Sequence, residues 1–273
     1  MKKLVVGYLS YITEKNENFR YLDFLNSVES LKKIDKNFSE IISIDNSSIE
    51  KARSALKDSG IFDRAFHYNT NFFDVALFYT TLWYAKENCI DYLCFLYDDF
   101  IVYDDALHNV VEFLDKNPQV SCVRIPIYDF YDQGKFDSEI TQKVKNPDSI
   151  RHYNCVTNKK LNWRGPFQVK QHEFFVNDWH YTSRPTVWRR EYFDNVLEKQ
   201  GAFSKVLQGF EAWAAKAFFE AELVTGVLNG GMVKTTPVDR SARSIELSST
   251  KELNLKIDLE ALKKEYKNII SSA

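Results

Sequence analysis

Residues 92–100 read Tyr-Leu-Cys-Phe-Leu-Tyr-Asp-Asp-Phe. The first six form a nearly continuous apolar run of strand length, the pattern of a central strand buried on both faces. At Asp98-Asp99 the run stops. Two adjacent carboxylates at a strand's end repel each other, and a divalent cation beside them makes it easier for both to stay ionised. In an open α/β sheet, ligands bind beyond the carboxyl ends of the strands, so this pair says more than the same pair in a solvated turn would.

Outward from that stretch the chain alternates strand-like and helix-like segments, the pattern of a mostly parallel sheet covered by helices. Upstream lie a strand at Lys3 to Tyr8 and a helix at Phe19 to Ile34 with Tyr21 or Leu22, Leu25, Val28 and Leu31 on one face. Then come a β-branched strand at Glu40 to Ile44 that breaks at the turn-forming Asp45-Asn46-Ser47-Ser48, and a helix at Ser48 to Lys57. A short strand at Ala65 to Tyr68 and an apolar helix at Phe72 to Lys86 lead into the central run. Downstream, Asp104-Asp105 stands before a helix carrying Ala106, Leu107, Val110, Val111 and Leu114, where an N-cap role suits it, and Val120 to Ile125 reads as another strand.

From Tyr128 to about Ser183 periodicity fades into a segment rich in Tyr, Trp, Asn, Lys and Asp, as in long loops that shape a binding surface. Helices are expected again at Arg189 to Lys199, at Phe210 to Glu222 and, with Leu255, Leu259, Leu262 and Tyr266 nearly in line, at Lys251 to Ile270. Residues 1–247 are expected to form one α/β domain, with 1–125 its sheet-forming half and 126–247 the other, and 248–273 a helical extension.

Composition narrows the function. The 36 Lys and Arg against 38 Asp and Glu leave a net charge of −2 with no long basic block, which argues against nucleic acid and for a small-molecule substrate. The opening MKKLVVGYLS has an apolar run too short for a signal peptide, and no stretch approaches the roughly 18 apolar residues of a membrane span. Cys89, Cys94, Cys122 and Cys155 form no paired framework, so a reduced, cytoplasmic setting is expected.

The segment CIDYLCFLYDDFIVYDDAL, preceded by a helix ending in WYAKEN, resembles the part of GT-A glycosyltransferases, family 2-like, in which a strand ends in a DxD or EDD signature. The resemblance implies a Rossmann-like GT-A α/β fold and transfer of a hexosyl or N-acetylhexosaminyl group from a nucleotide-sugar donor to a glycan or lipid-linked acceptor. It implies inverting chemistry assisted by Mn²⁺ or Mg²⁺, in surface polysaccharide synthesis; a lipid-linked acceptor would bring the protein to the inner face of the membrane. Asp99 takes the metal position, and Asp98 the position that touches ribose or sugar. Tyr97 stands where the family has Asp or Glu.

Asp45 is similar to the family's base-contacting Asp, and the turn with Asn71 and Asp74 resembles its Asn-rich turn, with Phe72 or Phe73 in place of a small Gly. Tyr8 and Ser10, just after the first strand, join the donor set. Asn177 to Pro185, with Asp178, Trp179 and His180, resembles the acceptor segment, whereas Trp188 reads as core. Glu211, at the start of an alanine-rich helix whose N-terminus favours the ionised form, matches the family's catalytic base, with Ala212 replacing the usual Asp.

Gly230-Gly231 and Thr235 to Ser244 resemble the loop over the diphosphate, where Arg240 and Arg243 would face the leaving group. None of the five histidines follows Glu211, which leaves Asp239 as a substitute for the family's metal-binding His. A binding or scaffolding protein that kept the fold and lost activity is the alternative that these departures keep open. A nucleotidyltransferase is disfavoured because the first loop offers only Gly7, and a hydrolase because no nucleophile elbow is present.

Overall fold

The computed structural model describes residues 3–125, 127–128, 164–177, 185–197, 224–229, 232–235 and 258–272. Its centre is the predicted run, now strand β4 (Tyr92–Tyr97), lying parallel to β1 (Leu4–Ser10). Both are buried on both faces. Leu4, Val6, Tyr8, Tyr92, Cys94 and Leu96 enter one core cluster, and Val5, Leu9, Leu93 and Phe95 the other. That two-residue alternation explains why neither strand carries a charge along its length.

Parallel strands β2 (Ser39–Asn46) and β3 (Arg64–Tyr68) extend the sheet on one side of β1. Beyond β4 lie β10 (Thr186–Arg189), β6 (Val120–Arg124), β11 (Val224–Leu228), β9 (His172–Asn177) and β8 (Arg164–Val169), giving the order β3-β2-β1-β4-β10-β6-β11-β9-β8. β10 and β9 run against the sheet, and the other seven strands share one direction. A second, three-stranded sheet joins β5 (Phe100–Val102), β12 (Val233–Thr235) and β7 (Ile127–Tyr128).

Six α-helices are present among the described residues: α1 (Glu17–Ser30), α2 (Glu50–Asp58), α3 (Phe73–Glu87), α4 (Leu107–Lys116), α5 (Arg190–Leu197) and α6 (Leu259–Ser271). None is long and apolar enough to cross a membrane. Helix α3 lies closest to the sheet: a Cβ on Gly7 would sit 2.1 Å from Thr81 Oγ1, whose hydroxyl donates to Leu77 O at 2.6 Å. Only hydrogen at position 7 allows that approach.

The structure adds to or departs from the sequence reading in several places. Along residues 17–31 the expected face holds, with Val28 and Leu31 in the first core cluster and Tyr21 and Leu25 packed against it, but it is wider than expected: Phe24, Ser27 and Ser30 are buried beside them, while Leu22, the alternative to Tyr21, is 69% exposed. Residues 164–177, expected as loop, form the β8–β9 hairpin, with Phe174 stacked 4.4 Å from Phe113 of α4. Residues 186–189, assigned to the acceptor segment and the start of a helix, make a strand between β4 and β6, with Trp188 buried as expected.

In the C-terminal extension, α6 is part of the domain. Leu262 and Tyr266 join the second core cluster, Tyr266 stacks on Phe66 at 5.4 Å, and Arg64 donates to Ile269 O at 3.2 Å. Asp258 caps the helix by accepting from Ala261 N at 3.0 Å. Asp105 accepts from Leu107 N at 3.1 Å in the first turn of α4, although the residue at the cap is Ala106.

Gly7→Ala is expected to destabilise the protein by about 1–3 kcal/mol in chemical denaturation, through overpacking against Thr81; a change below about 0.5 kcal/mol would mean that α3 moves aside freely.

Burial raises the hydroxyl pKa values of Tyr8 and Tyr68 above their ordinary 10.0, with the Asp98 charge a further cause at Tyr8, and pushes the Cys122 thiol from 9.0 up to about 12. In the unfolded chain these groups ionise first, so the stability they contribute is complete below about pH 8 and falls as the pH rises, the thiol's share first. Each buried tyrosine should account for a loss of about 1 kcal/mol between pH 8 and 10.5; an unfolding free energy constant over that interval would contradict it.

Candidate functional site

The carboxyl ends of β1, β2 and β4 lie side by side. Ser10 is in register with Asp45, Leu9 with Tyr97, and Asp98 N–H donates to Leu9 O at 3.0 Å. The strands therefore deliver Ser10, Asp45, Asp98 and Asp99 to one edge of the sheet. Ser10 is fully buried, and its hydroxyl has no hydrogen-bond partner, an orphaned polar group at the place where a polar ligand would approach.

Asp45, also fully buried, accepts from Arg53 Nε of α2 at 2.8 Å and from Ser48 N at 3.1 Å. Arg53, whose side chain is 25% exposed, also donates from Nη2 to Tyr68 O at 3.1 Å. His67, the register partner of Asp45 on β3, brings Nδ1 to 3.7 Å from its Oδ2, beyond hydrogen-bond reach. The base-side residue of the resemblance is thus a carboxylate already compensated by an arginine, with Arg53 as the more exposed member.

Asn46 joins this edge to the start of α3. Its Oδ1 accepts from Phe72 N at 2.8 Å, and its Nδ2 donates to Asn71 Oδ1 at 2.6 Å and Phe73 O at 3.1 Å. Ser47 and Phe73 both take left-handed backbone conformations, with φ of 69° and 54°. Phe73 therefore adopts a glycine-like conformation at the turn where the family has a small Gly, and the bonds of Asn46 and Asn71 on either side hold it there. Asp74 follows, half-buried in the first turn of α3.

The acidic turn itself is gripped by α1. Asp98 Oδ1 accepts from Arg20 Nη2 at 2.5 Å, and its Oδ2 accepts from Tyr11 N at 3.0 Å. Two turns further along the same face, Ser27 Oγ donates to Phe100 O at 2.5 Å, and Ser30 Oγ accepts from Val102 N at 2.9 Å. Tyr8, expected at the donor site, is instead fully buried in the first core cluster and donates to Ser27 Oγ at 3.0 Å. Asp98 and Asp99 are 7% and 8% exposed.

Thr235 of β12 is the register partner of Phe100, which brings the strand that leads into the Arg240–Arg243 segment beside the acidic turn. Arg240 and Arg243 themselves, together with Asp178, Trp179, His180, Glu211 and Asp239, lie outside the described residues.

Sequence reasoning missed Arg20, Asn46, Ser48 and Arg53. Arg53 carried a faint signal, a cation eight positions after Asp45 at the start of a helix; Arg20 carried none, because its partner is 78 residues away.

For a divalent cation the donor set is spare. Among the described residues no group of three or more His, Cys, Asp or Glu side chains lies together, and both Asp98 oxygens already accept hydrogen bonds. Asp99 with diphosphate oxygens and water would fit Mg²⁺ or Mn²⁺, both of which take oxygen ligands and keep several waters.

A mostly parallel sheet flanked by helices, with polar residues gathered at the carboxyl ends of adjacent strands, is compatible with the GT-A fold, and comparison with solved structures gives that fold. In particular, the chain is similar to S. aureus TarS. The structure of TarS residues 1–349 with UDP matches at 13% identity with a TM-score of 0.50, over 99% of this chain and 71% of that one. The corresponding structure with UDP-GlcNAc matches at 14% with a TM-score of 0.51, over 99% and 72%. A longer TarS structure matches at 16% with a TM-score of 0.50, over 100% of this chain and 42% of that one. At these identities the likeness establishes the fold. No protein-family model matches the sequence, and no curated protein matches it.

Arg53→Met leaves the buried Asp45 carboxylate without its cation. Discounting for the partial exposure of Arg53, a loss of about 2–3 kcal/mol is expected in chemical denaturation at neutral pH. An unchanged midpoint would show that Ser48 N–H alone satisfies Asp45.

Proposed function

We propose that the protein is a nucleotide-sugar-dependent glycosyltransferase that moves a hexosyl or N-acetylhexosaminyl group onto a glycan or lipid-linked acceptor, with inversion and with the help of Mn²⁺ or Mg²⁺. The observation that carries this reading is the convergence of Ser10, Asp45, Asp98 and Asp99 at the carboxyl edge of adjacent parallel strands in a GT-A fold. TarS, with the same fold, has been crystallised with UDP and with UDP-GlcNAc, which supports a nucleoside diphosphate sugar as the donor.

In this reading the Asp45–Arg53 pair flanks the base, the orphaned Ser10 hydroxyl finds a partner on the donor, and Asp99 holds the metal with the diphosphate. The bound metal would neutralise charge developing on the leaving diphosphate. Glu211 removes the proton from the attacking acceptor hydroxyl, Arg240 and Arg243 face the leaving group, and Asp178, Trp179 and His180 shape the acceptor side. The setting is cytoplasmic, at the inner face of the membrane where the acceptor is lipid-linked. The surface polysaccharide context comes from the family resemblance.

A second reading, a GT-A-fold binding protein without activity, draws on Tyr97 and Ala212, which stand where the resemblance calls for acidic residues. Turnover separates the two. A panel of nucleotide sugars is screened for thermal stabilisation with and without Mn²⁺, and stabilising donors are then assayed for release of nucleoside diphosphate with candidate acceptors. Glu211→Gln is expected to lower turnover by about 100-fold or more while donor binding changes by less than about threefold. Asp99→Ala is expected to abolish the metal-dependent part. Donor binding without any turnover across acceptors would favour the second reading, and near-normal turnover in Glu211→Gln would move the base elsewhere.

A further inference from the structure

The peptide unit between Tyr68 and Asn69, at the carboxyl end of β3, is bonded on both sides by charged groups from distant parts of the chain. Its carbonyl, Tyr68 O, accepts from Arg53 Nη2 at 3.1 Å, and its amide, Asn69 N, donates to Glu265 Oε2 of α6 at 2.9 Å. The same guanidinium donates from Nε to Asp45 Oδ2 at 2.8 Å. A peptide group is rigid and planar, so a carboxylate that fixes its N–H also fixes the direction of its C=O. Asp45, Arg53, the 68–69 peptide and Glu265 thus form one chain in which negative and positive ends alternate, and each bond polarises the next.

The turn that follows joins β3 to α3. Asn69 O accepts from Ser47 Oγ at 3.1 Å, and Asn71 Oδ1 accepts from Asn46 Nδ2 at 2.6 Å and from Phe73 N at 2.8 Å. Those bonds come from the end of β2 and from the turn itself, whereas Glu265 reaches it from 196 residues further along the chain. Helix α6 has other anchors: Tyr266 stacks on Phe66 at 5.4 Å, Ile269 O accepts from Arg64 at 3.2 Å, and Tyr266 OH donates at 2.8 Å to Glu87, at the opposite end of α3 from the turn. Half-buried Glu265 adds a contact aimed at the site end of β3.

Resting on the functional reading above, in which the Asp45–Arg53 pair flanks the base, we propose that α6 positions the nucleotide-binding edge through Glu265. Glu265 is a positioning residue: it holds the 68–69 peptide, the peptide holds the Arg53 guanidinium beside Asp45, and the pair is set before a nucleotide arrives. Because the arrangement is made in advance, little ordering is left for the ligand to bring about, and losing the arrangement weakens binding. The C-terminal helix thereby serves the donor site as well as the core.

The test uses the full chain and reads nucleotide affinity by calorimetry, with UDP, GDP, CDP, ADP and dTDP in turn in the presence of Mn²⁺, beside backbone hydrogen exchange and thermal unfolding. Glu265→Ala places a good helix former in α6 and is expected to fold. It is expected to weaken binding of the nucleotide that the wild type accepts by about fivefold or more, and to quicken exchange in a peptide spanning residues 69–72 by about tenfold. Glu265→Gln keeps an acceptor oxygen in the same place and is expected to stay within about twofold of wild type in both.

Tyr266→Phe separates positioning from mere stability. It removes the bond to Glu87 from the same helix, away from the turn, and is expected to lower the melting temperature by about 2–4 °C while nucleotide affinity stays within about twofold of wild type. Weakening shared by Tyr266→Phe, or not relieved in Glu265→Gln, overturns the proposal. If exchange quickens in Glu265→Ala and affinity holds, the functional reading stands and the proposal falls. If the wild type binds none of the five nucleotides, the functional reading fails and takes the proposal with it.

Discussion

A strand buried on both faces carries no charge along its length, because no water reaches it and every side chain points into a core. β1 and β4 are such strands, and the polar chemistry of the molecule is displaced to where they end. The constraint sets the place of the site before any residue in it is chosen. Ser10, Asp98 and Asp99 stand where β1 and β4 end, and Asp45 lies beside Ser10 near the end of the adjacent β2. Gly7 belongs to the same constraint: it lets α3 lie against β1 closely enough that the second face of the sheet is sealed.

Polarity at a strand end still has to be satisfied. Asp45 and Asp98 meet the demand in the same way, each through one arginine from the helix that follows the neighbouring or same strand and one backbone amide from a loop. Asn46 does for the β3–α3 turn what the arginines do for the carboxylates, bonding Asn71, Phe72 and Phe73 at once and holding the left-handed Phe73 in place. Each of these groups would be costly to bury alone and is stabilising when bonded, so side-chain bonds tie the strand ends and helix starts of the rim together. A rim tied in this way suits the recognition of a fixed ligand, since little ordering remains to be done on binding.

Much of this was legible in the sequence wherever burial is periodic and local. β4 ends at Tyr97 as its apolar run does, and α3, almost wholly apolar, falls within a residue of its expected limits. The hairpin of residues 164–177 was not legible, because its first strand is exposed along nearly all its length and contains Gly165-Pro166, which read as loop. The apolar face of α1 was read in part, with Tyr21, Leu25, Val28 and Leu31 on the core as expected, but Ser27 and Ser30 on its buried side were not, since they are polar and bond the backbone of Phe100 and Val102. A helix whose inner face bonds a distant strand has a weak hydrophobic pattern by construction, and no local rule recovers it. Arg20 was invisible for the same reason, since a salt bridge across 78 residues leaves no trace in spacing.

Tyr97 shows how far the core's demands reach into the site. The resemblance places an acidic residue there, yet the Tyr97 ring packs against both core clusters and meets Phe100 edge-on at 5.6 Å. A carboxylate at that point would lie between two apolar layers with Asp98 and Asp99 immediately after it, and both desolvation and like charge would oppose its ionisation. An aromatic side chain removes that conflict and carries the core to the last residue of the strand. The acidity the family spreads over three positions is thereby compressed into two, of which one is compensated by α1. Tyr97 and Arg20 thus act in the same direction, each limiting the negative charge gathered at this turn.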